Sequence, residues 1–228
     1  MIFDAIKAAV LRAEGATIQE AFSSSDQVAI EMADLANEVA SDIASSHDWR
    51  ALTKIHSLAG GSESYPLPAD YDRMVLASEI DDSASWFWGY QPFDSVNDWM
   101  RYKSGAYPIL SPGGWIILGG EMHFYPAARD AAQFPYISNR WARSETGTLK
   151  AGFTADDDEF VLPERLITLG LIWRWKAQKG LEYGEDMATY ELALSQAQTR
   201  DRGAHILRSN RPVNYRWAGL AYTGRAFP

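Results

Sequence analysis

The sequence contains no cysteine, and that absence removes disulfide bonds, thiolate nucleophiles and cysteine-ligated metals together. It fits a reducing compartment. Histidine is nearly as scarce. His47, His56, His123 and His205 are scattered, with neither the His-x-x-x-His nor the His-Glu-x-x-His spacing that aims two ring nitrogens at one zinc ion. The glycine pairs Gly113-Gly114 and Gly119-Gly120 lack the Gly-Lys-Ser/Thr ending of a phosphate cradle, and there is no Gly-x-Ser-x-Gly elbow. Long apolar runs are missing too: residues 166–175 are the richest stretch, and Arg174 and Lys176 interrupt it well short of the roughly 20 residues that span a bilayer. The N-terminus shows neither a basic leader nor a cleavage site, so a mature, soluble protein is expected. Together these gaps predict a protein that is not an enzyme and uses no cofactor or metal.

What is present is a folding composition. In 228 residues, 46% are hydrophobic and 13% aromatic, enough to bury a sizeable core. The net charge of −9 is unevenly spread: residues 200–228 carry six arginines against the single acid Asp201, a local +5 that leaves −14 on the rest. Such a split predicts an acidic body with a basic arm that meets an acidic surface or a nucleic acid.

Helical signals are most complete between residues 160 and 203. Pro163 suits a first turn, the acids Asp156, Asp157, Asp158 and Glu159 just upstream suit the positive end of a helix dipole, and Gly180 follows the cations Lys176 and Lys179 as a terminating glycine should. The same acids lack the central glycine and distal glutamate of a calcium loop. A second helix over 182–200 places Tyr183, Met187, Tyr190, Leu194 and Ala197 on one seam, antiparallel to the first. The first helix is apolar on nearly all sides (Leu166, Ile167, Leu169, Leu171, Ile172, Trp173, Trp175) and must be covered all round, either as a central core helix or partly by a neighbouring subunit.

Towards the N-terminus, Phe3, Ile6 and Val10 share a face of a helix over 2–14 that Gly15 ends, and Thr17 with Glu20 has the spacing for a brief capped turn. A long helix over 26–46 carries an apolar stripe (Val28, Met32, Leu35, Val39, Ile43) beside an acidic row (Glu31, Asp34, Glu38, Asp42). That row is a solvated flank or an edge facing a basic partner. Residues 52–162 hold seven of the ten prolines and three glycine pairs, predicting turns and short strands. A hairpin is expected over 115–125 around Gly119-Gly120, further strands over 64–67 and 75–79, and one helix capped by Asp94 or Ser95, with Val96, Trp99 and Met100 on one face and Gly105 at its end. After Gly203 the helical periodicity fades into arginines mixed with Tyr215, Trp217, Tyr222 and Phe227, a composition suited to an arm that orders on a partner.

The expected fold class is therefore α+β. Helices of 1–51 and a hairpin of 163–202 form a bundle, 52–162 is a β-rich insertion, and 203–228 is an extended basic arm. The nine tryptophans and many acids keep a second class open, a cell-wall glycan-binding or glycan-hydrolysing tail component, in which Trp86 and Trp88 on one side of a strand would be a sugar platform rather than core. Direct nucleic-acid binding through the arm is a third.

Several stretches taken in order carry a family likeness: Ser24-Ser25-Asp26 with Met32 and Leu35-Ala36-Asn37-Glu38-Val39, running into Asp48-Trp49-Arg50-Ala51-Leu52; Tyr65-Pro66-Leu67-Pro68 with Asp70-Tyr71-Asp72-Arg73; and Trp173-Arg174-Trp175 followed by Lys179-Gly180-Leu181, Tyr183, Asp186, Tyr190 and Ala193. In these the chain resembles the head-to-tail adaptor (head-completion, or tail accessory) proteins of tailed bacteriophages, over nearly its whole length. The resemblance implies a structural virion protein of the neck, assembled in the host cytoplasm. It would form a ring, commonly of twelve copies, between the portal protein and a tail or nozzle protein, with packaged DNA passing through its channel without sequence-specific binding and no membrane involved. It further implies a portal-binding C-terminal arm, to which charge and aromatic content assign Arg208, Arg211, Tyr215, Arg216, Trp217, Tyr222, Arg225 and Phe227. Contacts between subunits would involve Glu31, Asp34, Glu38, Trp173, Trp175, Tyr183 and Tyr190.

Overall fold

The computed structural model describes residues 1–76, 80–82, 90–105, 113–128 and 132–202. In chain order its elements are the helices α1 (Ile2–Glu14) and α2 (Gln27–Ser45) and a single 3-10 turn (Arg50–Leu52); the strands β1 (Thr53–Ser57), β2 (Ser64–Pro66), β3 (Tyr71–Met74), β4 (Asp81–Asp82) and β5 (Gln91–Pro92); helix α3 (Val96–Lys103); the strands β6 (Gly114–Leu118), β7 (Glu121–Tyr125), β8 (Ala132–Ser138), β9 (Ala142–Arg143), β10 (Leu149–Lys150) and β11 (Glu159–Phe160); and the helices α4 (Glu164–Gln178) and α5 (Gly184–Arg202). The fold is α+β, as expected.

Helix α4 is the axis of the bundle. Leu166, Ile167, Leu171, Ile172 and Trp175 are buried on it, and α1, α2 and α5 pack around it. Its apolar girdle is thus largely covered within the chain, as a core helix, with Leu169 and Trp173 left half-buried. Helix α2 packs tightly against α4 at Gly170, where a Cβ would meet Val39 Cγ1 at 2.5 Å. The Asp26 side chain caps α2 by accepting from the Val28 N–H at 3.3 Å. The predicted stripe is then buried at Met32, Val39 and Ile43, with Val28 and Leu35 half-buried. Helix α5 is different: Ala193 alone is buried on it. Its seam runs through Met187, Tyr190, Leu194 and Ala197 as read from the sequence, but Tyr183 precedes the helix and accepts from the Met187 N–H. No helix forms between residues 15 and 26.

The strands form three small sheets, ordered β1-β8-β3 with β4 also on β8, β2-β7-β6-β5, and β10-β9-β11. The 115–125 hairpin is present, Leu118 pairing with Glu121 across Gly119 and Gly120. Both glycines have positive φ (61° and 83°), the turn whose twist matches that of the strands. Strand β8 is central although it contains Pro135. That proline sits where the β3 pairing (Ile137, Tyr136) has ended and the β4 pairing (Gln133, Ala132) has not begun, so no ladder bond on that side is lost.

Pleating lets single strands serve two cores. On β8, Phe134 and Tyr136 face a β core with Tyr90, Met122 and Phe124, whereas Ile137 joins the bundle core. On β6, Trp115 belongs to the β core and Ile116 to a smaller cluster with Trp99 and Tyr102.

Three expectations are corrected. The strand placed over 75–79 lies at Tyr71–Met74, where Tyr71 stacks on Tyr136 with ring centroids 5.9 Å apart; residues 77–79 lie outside the described residues. Helix α3 is capped by Ser95, but it buries Trp99 and Tyr102, leaving Val96 and Met100 exposed. The acids 156–159 do not serve the entry of α4. Asp158 is buried against Lys150 and accepts from the Thr154 and Ala155 amides, and Asp156 accepts from the Ala21 and Phe22 amides, so they tie this loop to itself and to the chain after α1.

Candidate functional site

Two of the family-like stretches, Asp48-Trp49-Arg50 and Asp70-Tyr71-Asp72-Arg73, meet at the seam between the end of α2 and the β1-β8-β3 sheet, whereas the third lies on α4 and α5. Asp70, just before β3, is buried and accepts from Lys54 of β1 and from Tyr136 (2.9 Å) and Ser138 (2.8 Å) of β8. Burial alone would raise its pKa, but the bonds from Lys54, Ser138 and Tyr136 outweigh that and bring it down to about 2. Burial, then the bond to Asp70, pushes the Tyr136 phenol up to about 12. Arg73 of β3 reaches across to the end of α2, bonding the His47 carbonyl at 2.9 Å and Asp48 at 3.2 Å, while Asp48 accepts from the Leu76 amide at 2.7 Å. Trp49 donates to the Ile43 carbonyl at 2.7 Å. Asp70 thus ties the three strands of one sheet together, and Arg73 with Asp48 ties that sheet to the end of α2.

The same seam holds the end of α5. Arg50 donates from its guanidinium to the Arg202 carbonyl at 2.7 Å and from its backbone to Asp201 Oδ2 at 3.2 Å, and Gln198 reaches Ser46. His47 Nε2 lies 3.3 Å from Asp201 Oδ2 without the alignment of a hydrogen bond. A cavity of about 710 Å³ opens beside this clasp, lined among others by His47, Asp48, Arg73 and Asp201. The root of the basic segment is therefore fixed to the bundle. The arm residues themselves, Arg208, Arg211, Tyr215, Arg216, Trp217, Tyr222, Arg225 and Phe227, lie outside the described residues, as do Trp86 and Trp88.

Of the residues expected between subunits, Glu31, Asp34, Glu38 and Trp173 line one cleft of about 410 Å³ between α2 and α4. Two of the acids have partners within the chain. Glu31 pairs with Lys179 at 2.8 Å, and Glu38 shares Arg174 with Asp42. The Lys179 bond, then that from Gln27, lowers the Glu31 pKa. Asp34 is exposed and makes no ion pair among the described residues. Trp173 is half-buried beside Tyr183 and Tyr190, at centroid distances of 6.4 and 6.0 Å, and Arg174 lies over its ring. Trp175 stands apart: fully buried, its Nε1 donating to Glu14 at 3.0 Å, it has no surface left to offer.

A second groove, of about 340 Å³, was not foreseen from the sequence. Its floor includes Trp49, Leu162, Leu166 and Ala193, its rim Arg165, Gln196 and Arg200. The apolar pair Val161-Leu162 ahead of Pro163 is the one local hint, whereas the approach of α5 to it is a tertiary fact.

Among the described residues there is no group of three His, Cys, Asp or Glu placed to hold a metal ion, and no helix is long and apolar enough to cross a membrane. Five of the six described tryptophans are buried, so they serve as core and not as a sugar platform.

No curated protein matches the sequence. The model of the SU10 adaptor protein family matches residues 1–217, nearly the whole chain. That span takes in the seam, the clasp and both grooves, whose side chains are spent on fastening layers and presenting surfaces, in keeping with a structural role. The chain belongs to the SU10 adaptor protein family and is a bacteriophage head-to-tail adaptor, a structural protein of the virion neck.

Proposed function

We propose that the protein assembles as a ring of twelve copies that joins the portal protein to a tail or nozzle protein and continues the DNA channel. The observation that carries this reading is the polarity of the chain about Arg202. An acidic body of −13 over residues 1–202 precedes a terminal segment with four arginines and no acid, and the clasp from Arg50 fixes where that segment leaves the bundle. An acidic body repels the phosphate backbone and lets DNA slide, while residues 203–228 engage the portal through Arg208, Arg211, Tyr215, Arg216, Trp217, Tyr222, Arg225 and Phe227. Adaptor membership supports contact with portal and tail components. Assembly takes place in the host cytoplasm, and the role is structural, without catalysis.

The test is to mix the full chain and a version ending at Arg202 with isolated portal rings, and to follow binding by sedimentation and by imaging of the assembled neck. The full chain gives a symmetric ring on the portal; the shortened chain stays folded and does not bind. Undiminished binding by the shortened chain refutes the arm assignment. DNA binding by the arm would reveal itself as affinity for duplex DNA that falls steeply with added salt.

A further inference from the structure

We infer that the apolar groove between α5 and the start of α4 is the socket for the outer face of α2 of the next copy in the ring, an inference that rests on the ring reading above. The two faces are complementary. The groove offers an apolar floor (Trp49, Leu162, Leu166, Ala193) between Arg165 and Arg200, both exposed and neither making an ion pair among the described residues. On α2, Ile30, Asp34 and Glu38 follow one another at four-residue spacing and so form one outward row. Ile30 is 52% exposed, a large apolar side chain in water, and the two carboxylates beside it are exposed as well. An apolar tip with a free acid beside it meets an apolar floor between two cations. Asp34, unpaired within its own chain, gains an arginine as partner, while Glu38 keeps Arg174.

The placement of the two faces also suits a ring. Helix α5 separates them: Gln198 and the Asp201 carboxylate bond residues at and just after the end of α2, whereas Ala193, Gln196 and Arg200 line the groove beside Arg165, with Asp201 at its edge. Asp34 shares its cleft with Ala177, near the end of α4, and Gln196 shares the groove with Arg165, at its start. Those two levels are about 18 Å apart along the helix at 1.5 Å per residue. Two different patches that cannot touch within one protomer make a head-to-tail contact, the kind that closes into rings rather than stopping at a dimer.

The lack of any native cysteine makes the test clean. Asp34→Cys and Gln196→Cys, both at exposed positions, are introduced singly and together, and rings are assembled on portal and oxidised. The double variant gives a ladder of covalent trimers and higher multimers on a non-reducing gel, because the spacing forbids an internal bridge. Mixed single variants give heterodimers only, and neither single variant gives a ladder. In parallel, Arg200→Glu weakens self-association at least tenfold, and Asp34→Arg in the same chain restores it. Rings that form without a ladder, or an Asp34→Cys homodimer as the dominant product, overturn this pairing while the ring stands. Absence of any multimer on the portal overturns both.

Discussion

Replacing Asp70 by asparagine tests the polar cluster that joins β1, β3 and β8. The carboxylate is 12% exposed and holds Lys54, Tyr136 and Ser138 at once. Its pKa stands at about 2, against 3.8 for an unperturbed aspartate. At 1.36 kcal/mol per pH unit of displacement, the charged form contributes roughly 2.5 kcal/mol to folding. A depressed folded pKa means that this stability is fully present above pH 4 and is lost as pH falls from about 4 towards 2. The Asp70→Asn variant keeps the shape but not the charge, so the comparison isolates the effect: the variant is less stable by roughly 2–3 kcal/mol at pH 6, or about 5–10 °C in Tm for a chain of this size. The difference should shrink steadily below pH 4, where the native residue becomes a neutral acid. Urea denaturation of both proteins at half-unit steps from pH 6 to pH 2 measures it. A difference that stays constant across that range would show that the carboxylate's charge is not what holds these strands. The Tyr136 phenol predicts a second limb. With its pKa raised to about 12, its contribution is complete below pH 10 and fades as pH climbs towards 12.

Gly170→Ala sets two effects against each other. Alanine gains about 1 kcal/mol of helix propensity, but the new methyl would sit 2.5 Å from Val39 Cγ1, an overpacking worth roughly 1–3 kcal/mol. The variant is expected to melt lower, and Val39→Ala in the same chain should recover part of the loss; additive losses in the double mutant would refute the contact. Arg50→Ala removes the clasp on Arg202, and amide exchange over residues 198–202 should accelerate about fivefold, as suits a partly exposed charged hydrogen bond of roughly 1 kcal/mol. Gly120→Val, at φ 83°, should cost about 1–2 kcal/mol in thermal melts and lower amide protection across β6 and β7, leaving α5 unchanged.

Helices were legible because their causes are local. Asp26, Gly15, Ser95 and Gly180 are caps or stops that act within one turn, and the stripe Met32–Val39–Ile43 has the helical period. The 115–125 hairpin was equally local, since two adjacent glycines demand the turn. Strands β1 and β8 were missed for the opposite reason. Pro135 argues against a strand in isolation, and only the break between β3 and β4 makes room for it. The acids 156–159 misled because Asp158 has partners that charge density alone cannot reveal, Lys150 and two loop amides. As for surfaces, the row of Glu31, Asp34 and Glu38 followed from helical spacing, whereas its meeting with Trp173 in one cleft, the intrachain pairing of Glu31 with Lys179 and the full burial of Trp175 depend on how α1 and α2 pack on α4.

The clasp at the end of α5 has a mechanical meaning. A helix that buries only Ala193 would peel from α4 one turn at a time if its last residue were pulled outward. Arg50, Gln198 and Asp201 instead couple that last turn sideways to the end of α2. From there Arg73 and Asp48 carry the connection into β3, and so to the sheet on β8. Tension arriving along the terminal segment is thus divided between two layers and loads several bonds in parallel, whereas peeling would break them in series.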